Sequence, residues 1–290
     1  MLCVGLILLR RQWPFEEVDR LDRITEEMVP FTALLRYVQS QSDMQHFFDA
    51  LRPLYQMVTA DVTQVFMQVF SLALQILAKS SHRAAACKVG RILIKEHIKL
   101  FYRLLSSGHN AVVSPTLDLL TTLSSIDGSL NELLFVTFDF GLKNLTKFAF
   151  MRKKTLAQGE RRDIRSAYVH FILSFVEHGN MATKQSLAKL QNLIGPIFAG
   201  LPDDQPALIQ YALKTVREGI LFNEKKSKAL IIAFIYASSL TKIAKLYESD
   251  YEDVVEAADS FLRMICTSSE HGLAFRSTPP EDLKISEGIP

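Results

Sequence analysis

Cysteine is scarce in this chain: Cys3, Cys87 and Cys266 are odd in number, far apart and never arranged as C-x-x-C. That usage argues against a secreted disulfide framework and against a cysteine-built zinc site, and it fits a reducing compartment. Glycine and proline are also few, 12 and 10 in 290 residues, and most stand where helices would end. The turn chemistry that a β-sandwich or barrel needs every ten residues or so is therefore missing. Neither charge sign dominates, since 33 Lys and Arg meet 31 Asp and Glu. No global field draws the protein to nucleic acid or anionic lipid, so any electrostatic function must be local. Long apolar runs are absent as well. Residues 2–9 are apolar but short, and Arg10 and Arg11 follow them rather than precede them, the reverse of a signal peptide's charge order. Residues 229–240 are too few, and too interrupted by Ser238 and Ser239, to span a bilayer. A soluble protein without membrane partners is expected.

Catalytic signatures are missing too. The sequence has no G-x-x-x-x-G-K-S/T, no G-x-S-x-G and no H-E-x-x-H. Asp139-Phe140-Gly141 matches the metal-binding triplet of protein kinases, but the Gly-rich loop, the strand lysine and the H-R-D loop are absent. Phe138, Phe140 and Leu142 read better as core and turn residues. His170 and His178 lie eight apart on one expected helix, about two turns, too far to share a metal without a helper. His46, His82, His97, His109 and His271 are scattered. Asn144-Leu145-Thr146 fits a glycosylation acceptor but falls inside an expected helix. No catalytic residue, metal site, cofactor or small-molecule substrate is expected. An enzyme on a helical scaffold would need His170, Glu177 or His178 to converge with another acid in a cleft, which sequence order cannot reveal.

What is present is hydrophobicity, 48% of residues, enough to bury a substantial core. It recurs at helical spacing: Val62, Val65, Phe66, Val69, Phe70, Ala73, Leu74 and Leu77 follow i, i+3, i+4, i+7. Similar stripes cover 84–105, 111–123, 130–150, 164–176, 184–198, 206–222, 226–247 and 251–265. Ser107-Gly108, Asp127-Gly128-Ser129, Gly159, His178-Gly179-Asn180, the Gly200 to Asp204 stretch and Asn223-Glu224 punctuate them. Taken in pairs, the helices begin near residues 61, 110, 161 and 204, close to the roughly 40–47-residue period of HEAT and armadillo units. The expected fold is all-α, a HEAT/armadillo-like α-solenoid of stacked helical hairpins, with an irregular helical bundle as the alternative. The expected organisation is an N-terminal helical segment over 1–60, the solenoid over 61–267 and a disordered tail over 268–290.

Charge is concentrated in one place. Segment 143–165 carries Lys143, Lys147, Arg152, Lys153, Lys154, Arg161, Arg162 and Arg165 against Glu160 and Asp163, a net +6 in a chain of +2, leaving −4 elsewhere. This is a basic elbow between two apolar helices. One reading has the bases complementing a helix C-terminus and coating a loop, at about 0.3–1 kcal/mol each. The other has these eight residues holding RNA phosphates, with affinity that falls steeply with salt. The Arg-Lys-Lys, six-residue gap, Arg-Arg layout also fits a bipartite nuclear import signal.

The stretch from Phe138-Asp139-Phe140-Gly141-Leu142 through Arg161-Arg162-Asp163-Ile164-Arg165 to Phe175-Val176-Glu177-His178 resembles the N-terminal domain of the nucleolar pre-ribosomal-associated protein family. The likeness continues in Gly195-Pro196-Ile197-Phe198-Ala199-Gly200-Leu201, in Asp203-Asp204-Gln205-Pro206 and in Ala212-Leu213-Lys214-Thr215-Val216-Arg217-Glu218. It reaches back to about Leu100 and forward through Ile265-Cys266-Thr267 to Gly272. Members are usually several times longer, and residues 276–290 stand where they have an aromatic-rich segment. The resemblance implies a non-catalytic nucleolar scaffold in the earliest large-subunit precursor particles. Its implied partners are pre-ribosomal RNA, small nucleolar ribonucleoproteins, a DEAD-box helicase and other assembly factors. A solenoid adaptor with protein-only partners, in transport or the cytoskeleton, is the alternative.

Overall fold

A computed structural model describes residues 83–106, 110–138, 158–190, 197–198, 200–201, 204–221 and 239–267, with residues 67, 71, 74, 75 and 78. The expected segments 1–60 and 268–290 lie outside the described residues. Every regular element described is helical. In chain order these are α1 (Arg83–Leu105), α2 (Asn110–Ile126), α3 (128–138), α4 (Gln158–His178), α5 (Met181–Lys189), α6 (Pro206–Val216), α7 (Ser239–Ala244) and α8 (Glu252–Thr267). A π-helical turn, Arg217–Leu221, extends α6, and a 3-10 turn, Lys245–Glu248, follows α7. The chain divides into two compact units between Thr137 and Phe138.

In the first unit α1 packs on α2. The apolar spacing read from the sequence becomes a buried face: Val89, Leu93, Phe101 and Leu105 of α1 meet a core that includes Leu117, Leu120, Leu123, Leu130 and Leu134. Gly90 is required by that approach, because a Cβ there would stand 2.8 Å from Leu130 Cδ1 and 3.2 Å from Leu123 Cδ2. Of the first expected stripe, Leu74 is described and buried, and Met67 and Ser71 are buried with it.

Several polar groups inside this core are paired. The Ser71 and Thr122 hydroxyls lie 2.7 Å apart, and Gln75 Nε2 donates to Thr122 at 3.1 Å. Asn131, fully buried, donates through Nδ2 to Ser124 Oγ at 2.6 Å. Arg83 donates two hydrogen bonds, 3.2 and 2.8 Å, to the Ile126 carbonyl at the end of α2. It thereby satisfies a helix-end acceptor and places positive charge at the negative end of the helix. The Asp127-Gly128-Ser129 punctuation acts as a cap, with Asp127 accepting from the Ser129 amide at 2.9 Å and from its hydroxyl. These bonds hold the Asp127 carboxyl below its ordinary range.

The second unit is organised on α4. Ile164, Ala167, Tyr168, Val169 and every residue from Phe171 to Val176 are buried. A helix apolar on nearly all sides must be covered all round; α5, α6 and the π-turn pack against it, and α6 in turn packs against α8. Phe138, buried as a core residue, meets Phe171 edge-on at 6.0 Å, and Phe171 meets Phe175 at 5.1 Å. Phe198 reaches Phe261 of α8 at 5.8 Å.

One boundary differs from the sequence reading for an identifiable reason. Helix α5 begins at Met181, three residues ahead of the expected start, because Asn180 accepts from the Thr183 amide at 2.8 Å as an N-cap. The stripe expected over 226–247 ends as α7 tightening into a 3-10 turn.

Replacing Asn131 with Ala should lower unfolding free energy by about 1–3 kcal/mol, through the removal of buried hydrogen bonds. Urea unfolding followed by circular dichroism checks it.

Candidate nucleic-acid interface

Lys143, Lys147, Arg152, Lys153 and Lys154 lie outside the described residues. Arg161 and Arg162 fall in the first turns of α4, where a helix N-terminus carries partial positive charge of its own. Arg165, one turn further on, is described in full, and it corrects the expectation of a phosphate contact there.

The Arg165 guanidinium is turned inward. Its Nε donates to Asp204 Oδ1 at 2.6 Å, and its Nη2 donates to Asp204 Oδ2 at 2.9 Å and to the Ile197 carbonyl at 2.6 Å. The planar fork matches the carboxylate edge, a geometry only arginine supplies. Side-chain exposure is 14% for Arg165 and 3% for Asp204, so water competes little for either charge. Gly200 belongs to the same contact: a Cβ there would fall 2.4 Å from the guanidinium carbon. The pair ties the start of α4 to the turn before α6, where the Asp204 amide donates to Leu201 at 3.1 Å and Pro206 opens the helix. Taking both charges out of water is costly, and the mutual attraction repays it only because the fork is complete. No sequence signal marks Asp204 as the partner, because 39 residues separate the two.

At the other end of α4 the structure brings three of the singled-out residues together with one that sequence reasoning missed. His170 stacks on Tyr211 of α6 at 4.8 Å between ring centroids. The Tyr211 hydroxyl donates to Glu177 Oε2 at 3.0 Å, and His178 Nε2 lies 3.8 Å from the same oxygen. Burial pushes the His170 imidazole below its ordinary 6.5, against the opposing pull of Glu177. Burial also raises the Tyr211 phenol, and the neighbouring Glu177 charge adds to it. Glu177 thus accepts a hydrogen bond that fastens α6 to α4. Among the described residues, no three His, Cys, Asp or Glu side chains are placed to hold a metal ion. No helix among them is long and apolar enough to cross a membrane.

Comparison with known proteins gives this arrangement a family. The family model described as Npa1, ribosome 60S biogenesis N-terminal, matches residues 45–286. The chain is similar to nucleolar pre-ribosomal-associated protein 1 of Homo sapiens, 24% identical over 234 residues, and to that of Mus musculus, 23% identical over 236. The matches cover 73% and 74% of this chain and 10% of each relative, so the chain spans about a tenth of the length of these curated relatives. Among solved structures it is similar to a designed armadillo repeat protein in complex with the peptide (KR)4, with a TM-score of 0.54 and 15% identity. That likeness covers 86% of this chain and 98% of the designed one. The fold is all-α and armadillo-like.

Replacing Arg165 with Ala should cost about 3–5 kcal/mol, since Asp204 is left charged and buried. The double change R165M/D204L should cost less than either single change, which a double-mutant cycle in urea measures. A second expectation concerns pH. His170 titrates lower in the folded chain than its ordinary 6.5, so the unfolded chain binds the proton first and stability falls as pH drops below 6.5 toward the folded value. The variant H170Q should show a flatter loss of stability over that window.

Proposed function

The chain belongs to the Npa1 ribosome 60S biogenesis N-terminal family, and from that premise we propose that it works as a nucleolar scaffold in early assembly of the large ribosomal subunit. The match across residues 45–286 carries this reading. The scaffold acts by presenting helical surface to pre-ribosomal RNA and to assembly factors, and it catalyses nothing. The names of the relatives support a nucleolar location. Small nucleolar ribonucleoproteins and a DEAD-box helicase are the partners that the family resemblance points to.

With Arg165 committed to Asp204, seven bases remain as phosphate contacts: Lys143, Lys147, Arg152, Lys153, Lys154, Arg161 and Arg162. Their density supports RNA over a protein-only partner, because these seven bases against Glu160 and Asp163 leave a local +5 in a chain of +2, which favours a polyanion, and the net negative remainder does not. Phosphate contacts need no base readout, so a shape-reading scaffold requires little more than this segment and a rigid frame behind it.

Tagged protein is used to purify associated material from nuclear extract at low and high salt, and the RNA is sequenced. Large-subunit precursor RNA should be recovered at low salt and lost at high salt. Changing Arg152, Lys153, Lys154, Arg161 and Arg162 to Glu should abolish the recovery while the circular dichroism spectrum stays helical. With a purified precursor fragment, the corresponding Ala changes should reduce the slope of log affinity against log salt by about 3.5, at roughly 0.7 per phosphate on single strands. Recovery of proteins alone, indifferent to salt, would instead establish a protein adaptor.

A further inference from the structure

Two of the exposed large hydrophobic side chains lie four residues apart in the chain. Tyr247 is 46% exposed and Tyr251 is 59% exposed, one on the 3-10 turn and the other immediately before α8. The Tyr247 hydroxyl donates to Asp259 Oδ1 at 3.0 Å, and Asp259 Oδ2 accepts from Arg263 Nε at 2.5 Å. These bonds fasten the Tyr247 ring to the outward face of α8. That face carries Glu252, Glu256, Asp259 and Arg263 at i, i+4, i+7 and i+11, opposite the buried Val254, Ala258, Phe261 and Ile265. Glu248, Asp250, Glu252, Asp253 and Glu256 are all exposed. From residue 246 to 262 there are six acids and no Lys or Arg, a net −6 that the flanking Lys245 and Arg263 reduce to −4. Hydrogen bonds from Arg263 and Tyr247 hold the Asp259 carboxyl below its ordinary range, so it is charged at neutral pH.

We propose that this tyrosine and carboxylate face at the start of α8 is a docking surface for a lysine- and arginine-rich polypeptide segment. Charge complementarity selects the occupant, since the face repels RNA and attracts a basic chain. The tyrosines add what acids alone lack. An exposed ring attracts a guanidinium or ammonium over its face, and the aliphatic stem of Lys or Arg packs along it. Carboxylates one helical turn apart give a basic strand repeated points of attachment along α8. Docking of this kind stands on this face alone and does not depend on the family reading.

The test titrates the 290-residue chain into a fluorescein-labelled nonapeptide of Lys and Arg, read by anisotropy, with an Asp and Glu nonapeptide as control. Saturable binding of the basic peptide is expected, weakening as salt rises from about 0.05 M to about 0.5 M while the Debye length shortens. The double variant Y247A/Y251A should bind about tenfold more weakly, because it removes two cation–π interactions at exposed sites. E252Q/E256Q, which removes two exposed charges, should also weaken binding by several fold. Should the tyrosine double variant lose its helical circular dichroism, Y251A alone replaces it. Absence of saturable binding, or affinity unchanged in either the tyrosine or the glutamine variant, overturns the proposal.

Discussion

Helix α4 has to be covered on every side. Ten of its residues between Ile164 and Val176 are buried, among them Tyr168, Phe171 and Phe175, and each large apolar side chain left in water would forgo about 1.5–3 kcal/mol. That requirement recruits α5, α6 and the π-turn around it, and through α6 it brings in α8. The second unit is in this sense the packaging of one helix. Its polar features are then arranged where the packaging meets at the two ends of α4.

At each end a charged or polar group of α4 reaches a partner more than thirty residues away. Arg165 forks onto Asp204 before α6, and Glu177 accepts from Tyr211 within α6. Apolar burial is non-directional and tolerates sliding, whereas a bidentate ion pair with a third hydrogen bond does not. The two ties fix the register of α6 on α4. The first unit uses the same device in neutral form, with Ser71, Thr122, Ser124 and Asn131 pairing inside an otherwise apolar core.

These demands bear directly on function. A basic residue needed to neutralise a buried acid is not free to hold a phosphate, which is why Arg165 leaves the proposed group of RNA contacts while its sequence neighbours Arg161 and Arg162 stay in that proposal. Charge is segregated along the sequence, strongly positive over 143–165 and strongly negative over 246–262. The proposed scaffold role has use for both signs, one for phosphates and one for basic polypeptides. A near-neutral total keeps each local.

The helical class, the family and most helix boundaries were legible in the order of residues, because a 3.6-residue apolar period and the Asp127, Asn180 and Pro206 signals act within a few residues along the chain. The concentration of charge at 143–165 was legible for the same reason, since it needs only counting. The fate of each charged side chain was not. Whether Arg165 faces a phosphate or an aspartate depends on where Asp204 stands, and whether Glu177 is catalytic or a fastening depends on Tyr211. Both partners are distant in sequence and adjacent only after α4 has been covered. Sequence determined which elements form and what family they belong to, since those follow from local pattern. Tertiary structure alone decided which polar groups are consumed in holding the elements together and which stay available at the surface, since that turns on distances between groups that the chain brings together only by folding.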